Sequence, residues 1–322
     1  MKDVAQEAGV ALGTVSKVFN GIPVGESYRR RVEEAAQKLG YQVNNYARGL
    51  RAGKTGTVAV ILPSVDHPFF GALAQHVCAA LESRNYRMLL YVTDSSPAFE
   101  QTCINLVRQN KVDGIIGLTY NPDLEVDETL PFVSIDRNYS PGVPCVTADN
   151  FSGGQIAAEK LIELGCRHLA FFRNGPVVPS EADKRGSGFE QACRLHGIDC
   201  DVVSINDGEQ TLEAFRDYLQ VHMDGGKLAI DGIACSTDLL AMFIRKTLIE
   251  LGLRVPEDVQ LIGFDGIRRF DNGAFYCSTI VQPVAQMAQA CVDTLLEEDR
   301  SRLPSLICLP VSYAPGGTTR DF

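Results

Sequence analysis

The chain has 322 residues, 45% of them hydrophobic and 22% charged, which is enough apolar material for a soluble protein of two or three domains. Its longest apolar runs, such as Val58 to Leu62 and Met88 to Val92, are strand-length, and the N-terminus carries no hydrophobic targeting segment. Those two features argue against a membrane span and for a cytoplasmic location. The net charge of −10 argues against indiscriminate nucleic-acid binding, but residues 1–55 hold nine Lys/Arg against five Asp/Glu while the remainder holds 21 against 35. A basic head on an acidic body suits a head that meets phosphates and a body that does not.

In chain order, residues 2–20 show two short amphipathic helical patterns that meet at Ala8-Gly9-Val10. Val4, Ala5 and Ala8 recur at helical spacing in the first, and Val15, Val18 and Phe19 in the second, so both apolar faces close over one small core. The pattern predicts a helix-turn-helix, a unit that sets its second helix into the DNA major groove; an ordinary helical hairpin shares the spacing. Leu12, Gly13, Thr14 and Lys17 then stand where base edges would be read. A third helix is expected over Ser27 to Leu39, with Val32, Ala35, Ala36 and Leu39 inward and Gly40 as its stop. Arg29, Arg30, Arg31, Lys38, Arg48, Arg51 and Lys54 are candidates for phosphate contact.

From Thr57 onward the pattern changes to short apolar strands alternating with amphipathic helices. Strands are expected at Thr57–Leu62, Arg87–Thr93, Gly114–Leu118, Phe132–Asp136, His168–Phe172, Val202–Ile205, Gly232–Cys235 and Val259–Phe264. Repeated βα units signal parallel open sheets, and so many strands suit two lobes, divided near Asp149–Gly153 and again near Ile280–Pro283. Ligands of such sheets sit outside the carboxyl ends of the strands, which makes the cleft between the lobes the expected small-molecule site. The ten cysteines are scattered singly, without metal-ligand spacing, and are expected mainly as buried thiols.

This order of parts resembles the LacI/GalR family of bacterial transcription regulators over essentially the whole chain. The head is similar to the family pattern at Lys2-Asp3-Val4-Ala5, Gly9-Val10, Thr14-Val15-Ser16 and Asn20, and Tyr41 to Arg51 resembles the family's hinge. The resemblance implies a small all-α helix-turn-helix head joined by a hinge helix to an α/β periplasmic-binding-protein-like body of two parallel-sheet lobes. It implies a head at 1–43, a hinge and linker at 44–56 and an effector-binding body at 57–322. Lobe one would comprise about 57–149 and 283–309, and lobe two about 150–280 and 310–322. In that family the hinge orders on DNA and inserts a leucine into the minor groove; Leu50 matches that position, with Asn44 and Arg48 beside it. An exposed leucine flanked by Arg48 and Arg51 is also what an unstacking wedge requires. Three departures from the family pattern bear on the head: Ala11 stands where a serine usually caps the second helix, Val43 replaces the common hinge proline, and Met1-Lys2-Asp3 lacks the usual Thr-Ile in front. A lost cap costs ~1 kcal/mol, so a less stable head, or a start assigned a few residues late, is expected.

Candidate ligand residues stand at the predicted strand ends. Asp66, Phe69 and Phe70 follow the first strand, where rings stack on a sugar face and a carboxylate takes hydroxyls; one of the two phenylalanines is expected in the core. Asp136 and Arg137 end another strand, Thr237 and Asp238 follow a third, and Asp265 closes a fourth. The resemblance adds Arg185, whose guanidinium offers a fork of donors, and Gln282 on the later crossover. Asp149-Asn150, at the first crossover, is expected to be structural. No G-x-S-x-G, H-E-x-x-H, P-loop or G-x-G-x-x-G occurs and the five histidines are unpaired, so no enzyme, cofactor or metal is expected. The expected function is a homodimeric repressor whose grip on a pseudo-palindromic double-stranded operator is controlled by a small ligand, most simply a sugar. With no leucine-heptad tail after Pro310, a dimer is favoured over a tetramer. A sugar-binding module without DNA function, or a sugar-processing enzyme, are the alternatives that the body alone leaves open.

Overall fold

Gly9 makes the corner on which the head turns. It adopts the left-handed conformation at φ 59° after α1 (Lys2–Ala8), with the Val10 and Gly9 N–H groups returning to the Ala5 and Gln6 carbonyls. The chain then enters α2 (Leu12–Phe19) and, after a short loop, α3 (Glu26–Lys38). Val4, Ala5, Ala8, Val15, Val32, Ala35 and Ala36 form the core, with Val18, Phe19 and Tyr41 packed against it and the Phe19 and Tyr41 rings stacked at 5.6 Å. Leu39 does not join that stripe: it is the C-cap of α3 and is 45% exposed. Met1 at the start of α1 makes no capping side-chain bond, and the first turn of α2 closes on the Ala11 carbonyl alone.

The computed structural model describes every residue except 20, 42–53, 110, 127–129, 140–141, 176–177, 207–210, 270–272 and 322. The expected hinge, with Asn44, Arg48, Leu50 and Arg51, therefore lies outside the described residues. The chain divides into two units, Met1–Thr55 and Gly56–Phe322.

The larger unit holds two six-stranded sheets. The first contains β1 (Thr57–Leu62), β2 (Arg87–Val92), β3 (Gly114–Gly117), β4 (Phe132–Ile135), β5 (Cys145–Ala148) and β13 (Leu306–Leu309), in the order β13-β5-β4-β3-β1-β2, all parallel. The second contains β6 (Leu169–Gly175), β7 (Cys200–Asn206), β10 (Gly232–Cys235), β11 (Gln260–Asp265), β12 (Thr279–Val281) and β14 (Ser312–Ala314). Its order is β14-β12-β11-β10-β6-β7, with only β14 antiparallel. β8 (Met223–Asp224) and β9 (Lys227–Leu228) form a separate small hairpin. β1 reads TVAVIL and is buried at every position, as a central parallel strand covered on both faces must be, whereas edge strand β2 is partly exposed.

Helices cover both sheets. Around the first lie α4 (Pro68–Ser83), α5 (Pro97–Arg108) and α10 (Val284–Leu296); around the second lie α6 (Asn150–Glu163), α7 (Lys184–Leu195), α8 (Thr211–Val221) and α9 (Asp238–Glu250). The chain crosses between the lobes three times: from β5 into α6, from β12 into α10, and from β13 into β14. All ten cysteines are free thiols; seven are buried, and Cys308 on β13 is exposed.

α6 and α7 touch backbone to backbone. A Cβ on Gly154 would stand 1.9 Å from the Arg185 carbonyl oxygen, and one on Gly188 would stand 2.0 Å from the Phe151 carbonyl oxygen. No side-chain rearrangement relieves a backbone clash, so either glycine is required for the close approach. Gly154→Ala should destabilise the protein by at least the ~1–3 kcal/mol of ordinary overpacking and displace Arg185. Chemical denaturation checks this; a variant within 0.5 kcal/mol of the parent (about the noise of neutral surface changes) would show that the helices separate freely.

Candidate functional site

Every polar residue that matters here lies where a strand ends and a helix begins. His67 is the N-cap of α4, its Nδ1 accepting the Phe69 N–H at 3.3 Å. Asp149 caps α6, with Oδ1 accepting the Ser152 N–H at 3.0 Å, and Thr237 caps α9, with Oγ1 accepting the Leu240 N–H at 3.1 Å. Asp136 after β4 and Asp265 at the end of β11 both adopt positive φ, 56° and 125°, a conformation that costs a non-glycine residue about 1–3 kcal/mol and clusters at functional sites. These turns place the side chains around a cavity of about 450 Å³ between the two lobes.

Arg185, in the first turn of α7, is the buried cation of the cavity. Its Nε donates to Asn150 Oδ1 at 2.7 Å, its Nη1 donates to the Ser236 carbonyl at 2.5 Å, and its guanidinium stacks 3.7 Å from the centre of the Phe264 ring. The Asp265 carboxylate faces it at 3.9 Å. Burial pulls the Arg185 pKa down, and Asp265 and Asp136 oppose that. Asp136 accepts the Thr147 hydroxyl at 2.6 Å; Asn150 Nδ2 donates to Thr147 at 2.9 Å. A continuous chain of bonds thus runs from Asp136 through Thr147 and Asn150, at the first crossover, to Arg185.

Asp265 Oδ1 accepts from Gln282 Nε2 at 2.8 Å, which ties β11 to the second crossover. With its Nδ1 accepting, His67 carries its hydrogen on Nε2, which faces Asp265 Oδ2 at 3.8 Å. Burial, reinforced by Arg185, lowers the His67 pKa to about 4, so the ring is neutral at pH 7. Burial raises the Asp265 carboxyl well above the usual carboxylate range, against the pull of Arg185. Three polar atoms in the cavity wall have no hydrogen-bond partner among the described residues: Asp265 Oδ2, Gln282 Oε1 and Ser236 Oγ. A buried polar atom left unmade costs about 1–3 kcal/mol, so the cavity is complete only with a guest that both donates, as to Gln282 Oε1, and accepts, as from the Ser236 hydroxyl and the protonated Asp265 carboxyl. Phe70, Leu118 and Tyr120 from one lobe and Leu212, Leu239 and Phe243 from the other supply its apolar surface.

Of the residues expected from sequence, Phe69, Phe70, Asp136, Arg185, Thr237, Asp265 and Gln282 line this cavity. Phe69 also belongs to the core of its lobe, and the Phe70 ring meets it edge-on at 5.6 Å. Three expected residues do not line it. Asp66 is exposed, because the cap at His67 turns the chain inward one residue later. Arg137 follows the positive-φ Asp136 and is directed away, donating to the Asn121 and Pro122 carbonyls and lying over the Tyr139 ring. Asp238 is buried behind the wall, accepting from Ile267 N–H at 2.7 Å and Thr279 Oγ1 at 2.6 Å. Conversely, His67, Tyr120 and Ser236 line the cavity and were not singled out, although all three directly follow strands. A wider groove of about 680 Å³ lies across the Asp265–Gln282 wall, and it shares those two residues and Phe69.

In the head, Leu12, Gly13 and Lys17 are exposed on α2, and Thr14 is half-buried. Arg30 is exposed with Glu34 at 3.6 Å, a pairing open water makes weak. Arg31 and Lys38, by contrast, are engaged within the head: Arg31 Nη2 donates to the Gly9 carbonyl at 3.0 Å, and Lys38 Nζ meets Glu7 at 2.5 Å.

Asp265 supplies a pH test. A carboxyl whose folded pKa lies above its unfolded value of roughly 3.9 favours the fold at low pH, and that contribution is lost as pH rises through the folded value. Without added ligand, the melting temperature should fall more steeply between about pH 5 and pH 9 in the parent than in Asp265→Asn. Parallel profiles would mean that the carboxyl is not held neutral.

Residues 1–44 match the family described as "Bacterial regulatory proteins, lacI family", and residues 55–297 match "Periplasmic binding proteins and sugar binding domain of LacI family". The chain is 30% identical to the sucrose operon repressor of Streptococcus mutans over 320 residues, 98% of each protein. It is 32% identical to the ribose operon repressor of Bacillus subtilis over 333 residues, 99% of this chain and 98% of the relative. Among solved structures, the Lac repressor dimer bound to operator and an anti-inducer superposes with a TM-score of 0.81 at 20% identity, covering 98% of each chain. The CelR–cellobiose complex gives 0.68 at 26% identity, again over 98% of each chain. The chain belongs to the LacI family of bacterial regulatory proteins.

Proposed function

We propose that the protein is a cytoplasmic transcriptional repressor that binds a pseudo-palindromic operator as a homodimer and is controlled by a neutral, polyhydroxylated effector held between its lobes. The observation that carries the effector class is the trio of unsatisfied atoms, Asp265 Oδ2, Gln282 Oε1 and Ser236 Oγ, set against an aromatic and aliphatic wall. A sugar presents this combination: hydroxyls on its edge and apolar C–H faces above and below. Arg173 is paired with Asp183 at 2.6 Å and the Arg185 guanidinium is engaged by Asn150, the Ser236 carbonyl and the Phe264 ring, so among the described residues neither cavity arginine stands open to a phosphate. The relatives named for sucrose and ribose operons and the cellobiose-bound CelR structure agree with a sugar. The head favours regulation over a bare sugar-binding module, which has no use for a DNA-reading unit, and the absence of a catalytic motif favours binding over turnover.

In this mechanism the effector changes the angle between the lobes, and segment 42–53, which joins the head, transmits that change to the operator contacts. A coupling of ~1–3 kcal/mol is usual for such linkage. Lys17, Leu12, Gly13 and Thr14 would read bases, Arg30 would hold phosphate, and Asn44, Arg48 and Leu50 would engage the minor groove.

A thermal-shift screen of the purified chain against monosaccharides, disaccharides, sugar phosphates and purines should return a neutral sugar. At a hundredfold excess over Kd, stability rises by about 2.7 kcal/mol. Asp265→Ala and Arg185→Ala should each abolish that rise; a hit surviving both would place the ligand elsewhere, and a sugar phosphate or purine as the sole hit would overturn the effector class. On the operator, Lys17→Ala should relax discrimination at one base position by about 1–3 kcal/mol, whereas Arg30→Ala should weaken all sequences and reduce the salt slope by about one. Leu50→Ala should weaken operator binding without unfolding the chain. Unaltered base preference in Lys17→Ala, or unaltered affinity in Leu50→Ala, would remove the corresponding role.

A further inference from the structure

One wall of the cavity is backed by a buried carboxylate and a half-buried guanidinium that hold the same loop from its two sides. Glu100, in the first turn of α5, is fully buried. Its Oε1 accepts from Thr93 Oγ1 and the Tyr120 N–H, both at 3.4 Å, and its Oε2 accepts the Asn121 N–H at 3.1 Å. Arg137 approaches the same loop from its carbonyl side, donating to Asn121 O and, at 3.4 Å, to Pro122 O. Burial raises the Glu100 pKa, and these N–H donors and Arg137 oppose that; between the two side chains, the Tyr120 and Asn121 N–H groups and the Asn121 and Pro122 carbonyls are answered. Thr93 and Tyr120 follow β2 and β3, the two strands that flank β1, so one carboxylate fastens two strand-end loops. Both loops carry cavity residues, Ser95 and Tyr120.

A fully buried carboxylate is expensive to desolvate and is tolerable here because three donors answer it. The loop it holds carries Tyr120, which lines the cavity near enough to Arg185 to interact with it electrostatically. We propose that Glu100 and Arg137 are positioning residues for effector recognition, locking the 120–122 loop so that Tyr120 forms a rigid stacking wall opposite the hydroxyl-binding residues. A pre-set ring binds a sugar face without an ordering cost, whereas a mobile ring loses part of its affinity and its selectivity between ring shapes. The effector part of this proposal rests on the function proposed above; the ordering of Tyr120 does not.

The chain has no tryptophan, so Tyr120→Trp installs a single reporter in the wall. In that background and without ligand, Glu100→Gln should shift Trp emission to the red, lower its anisotropy and raise its quenching by acrylamide, with far-UV circular dichroism unchanged. Arg137→Gln should do the same and provides the second readout if Glu100→Gln does not fold. Unchanged emission and quenching in a folded variant would overturn the clamp. For recognition, titrations with sucrose, ribose and cellobiose should show Glu100→Gln weakening the bound sugar about tenfold in the parent but less than about twofold in Tyr120→Ala, the non-additivity expected of coupled residues. Equal losses in both backgrounds would overturn the positioning role. Failure of all three sugars to bind counts against the effector class proposed above, while the fluorescence result still decides the clamp.

Discussion

One guanidinium taken out of water constrains the whole effector body. A buried charge is tolerable only when its hydrogen bonds and counter-charge are supplied, and the effective penalty otherwise runs to several kcal/mol. Arg185 collects its partners from parts of the chain far apart in sequence: Asn150 at the first crossover, the Ser236 carbonyl beyond β10, the Phe264 face and the Asp265 carboxylate on β11. Those strand ends cannot drift independently while the guanidinium is held. Asp265 in turn grips Gln282 at the second crossover, so two of the three lobe connections are bonded to residues that line the cavity. Occupancy of the cavity and geometry of the hinge are therefore one problem of hydrogen bonding.

The cavity asks for a guest that both gives and accepts hydrogen bonds. Its carboxylates lie in apolar surroundings that favour their neutral forms, His67 is held neutral, and the cation is stacked and bonded rather than exposed. The atoms left over, Asp265 Oδ2, Gln282 Oε1 and Ser236 Oγ, are a mixed set that hydroxyl groups answer, since each hydroxyl donates once and accepts twice.

The architecture was legible because its strongest signals are local and periodic. The Gly9 corner, the inward valines and alanines of the head, and runs such as TVAVIL announce themselves in single segments. Four strands in the sheets went unrecognised, β5, β12, β13 and β14, each of three or four residues; short crossover strands carry too few residues to show a period, and their pairing is fixed by distant partners. The site was legible to the same degree. Strand-end logic and family resemblance reached Asp136, Arg185, Asp265 and Gln282, but adjacent residues on a turn diverge in direction, and direction is a tertiary property. Hence Asp66, Arg137 and Asp238 were expected in the cavity, whereas their neighbours His67, Asp136 and Thr237 line it. Glu100 carried no signal: it reads as an ordinary acidic residue in a helix's first turn, and only the fold brings two loops onto its oxygens.

The contact between Gly154 and Arg185, and its counterpart between Gly188 and Phe151, has a mechanical meaning. Helices that meet through their backbones have no intervening side chains to compress or repack, so α6 and α7 form a stiff lever whose near end is the first crossover and whose face carries the guanidinium. Rotation at residues 148–150 must swing Arg185 by the same angle. Leu212, Leu239 and Phe243, which line the same cavity on side chains rather than on a backbone contact, are by comparison the parts of the wall free to repack around a guest.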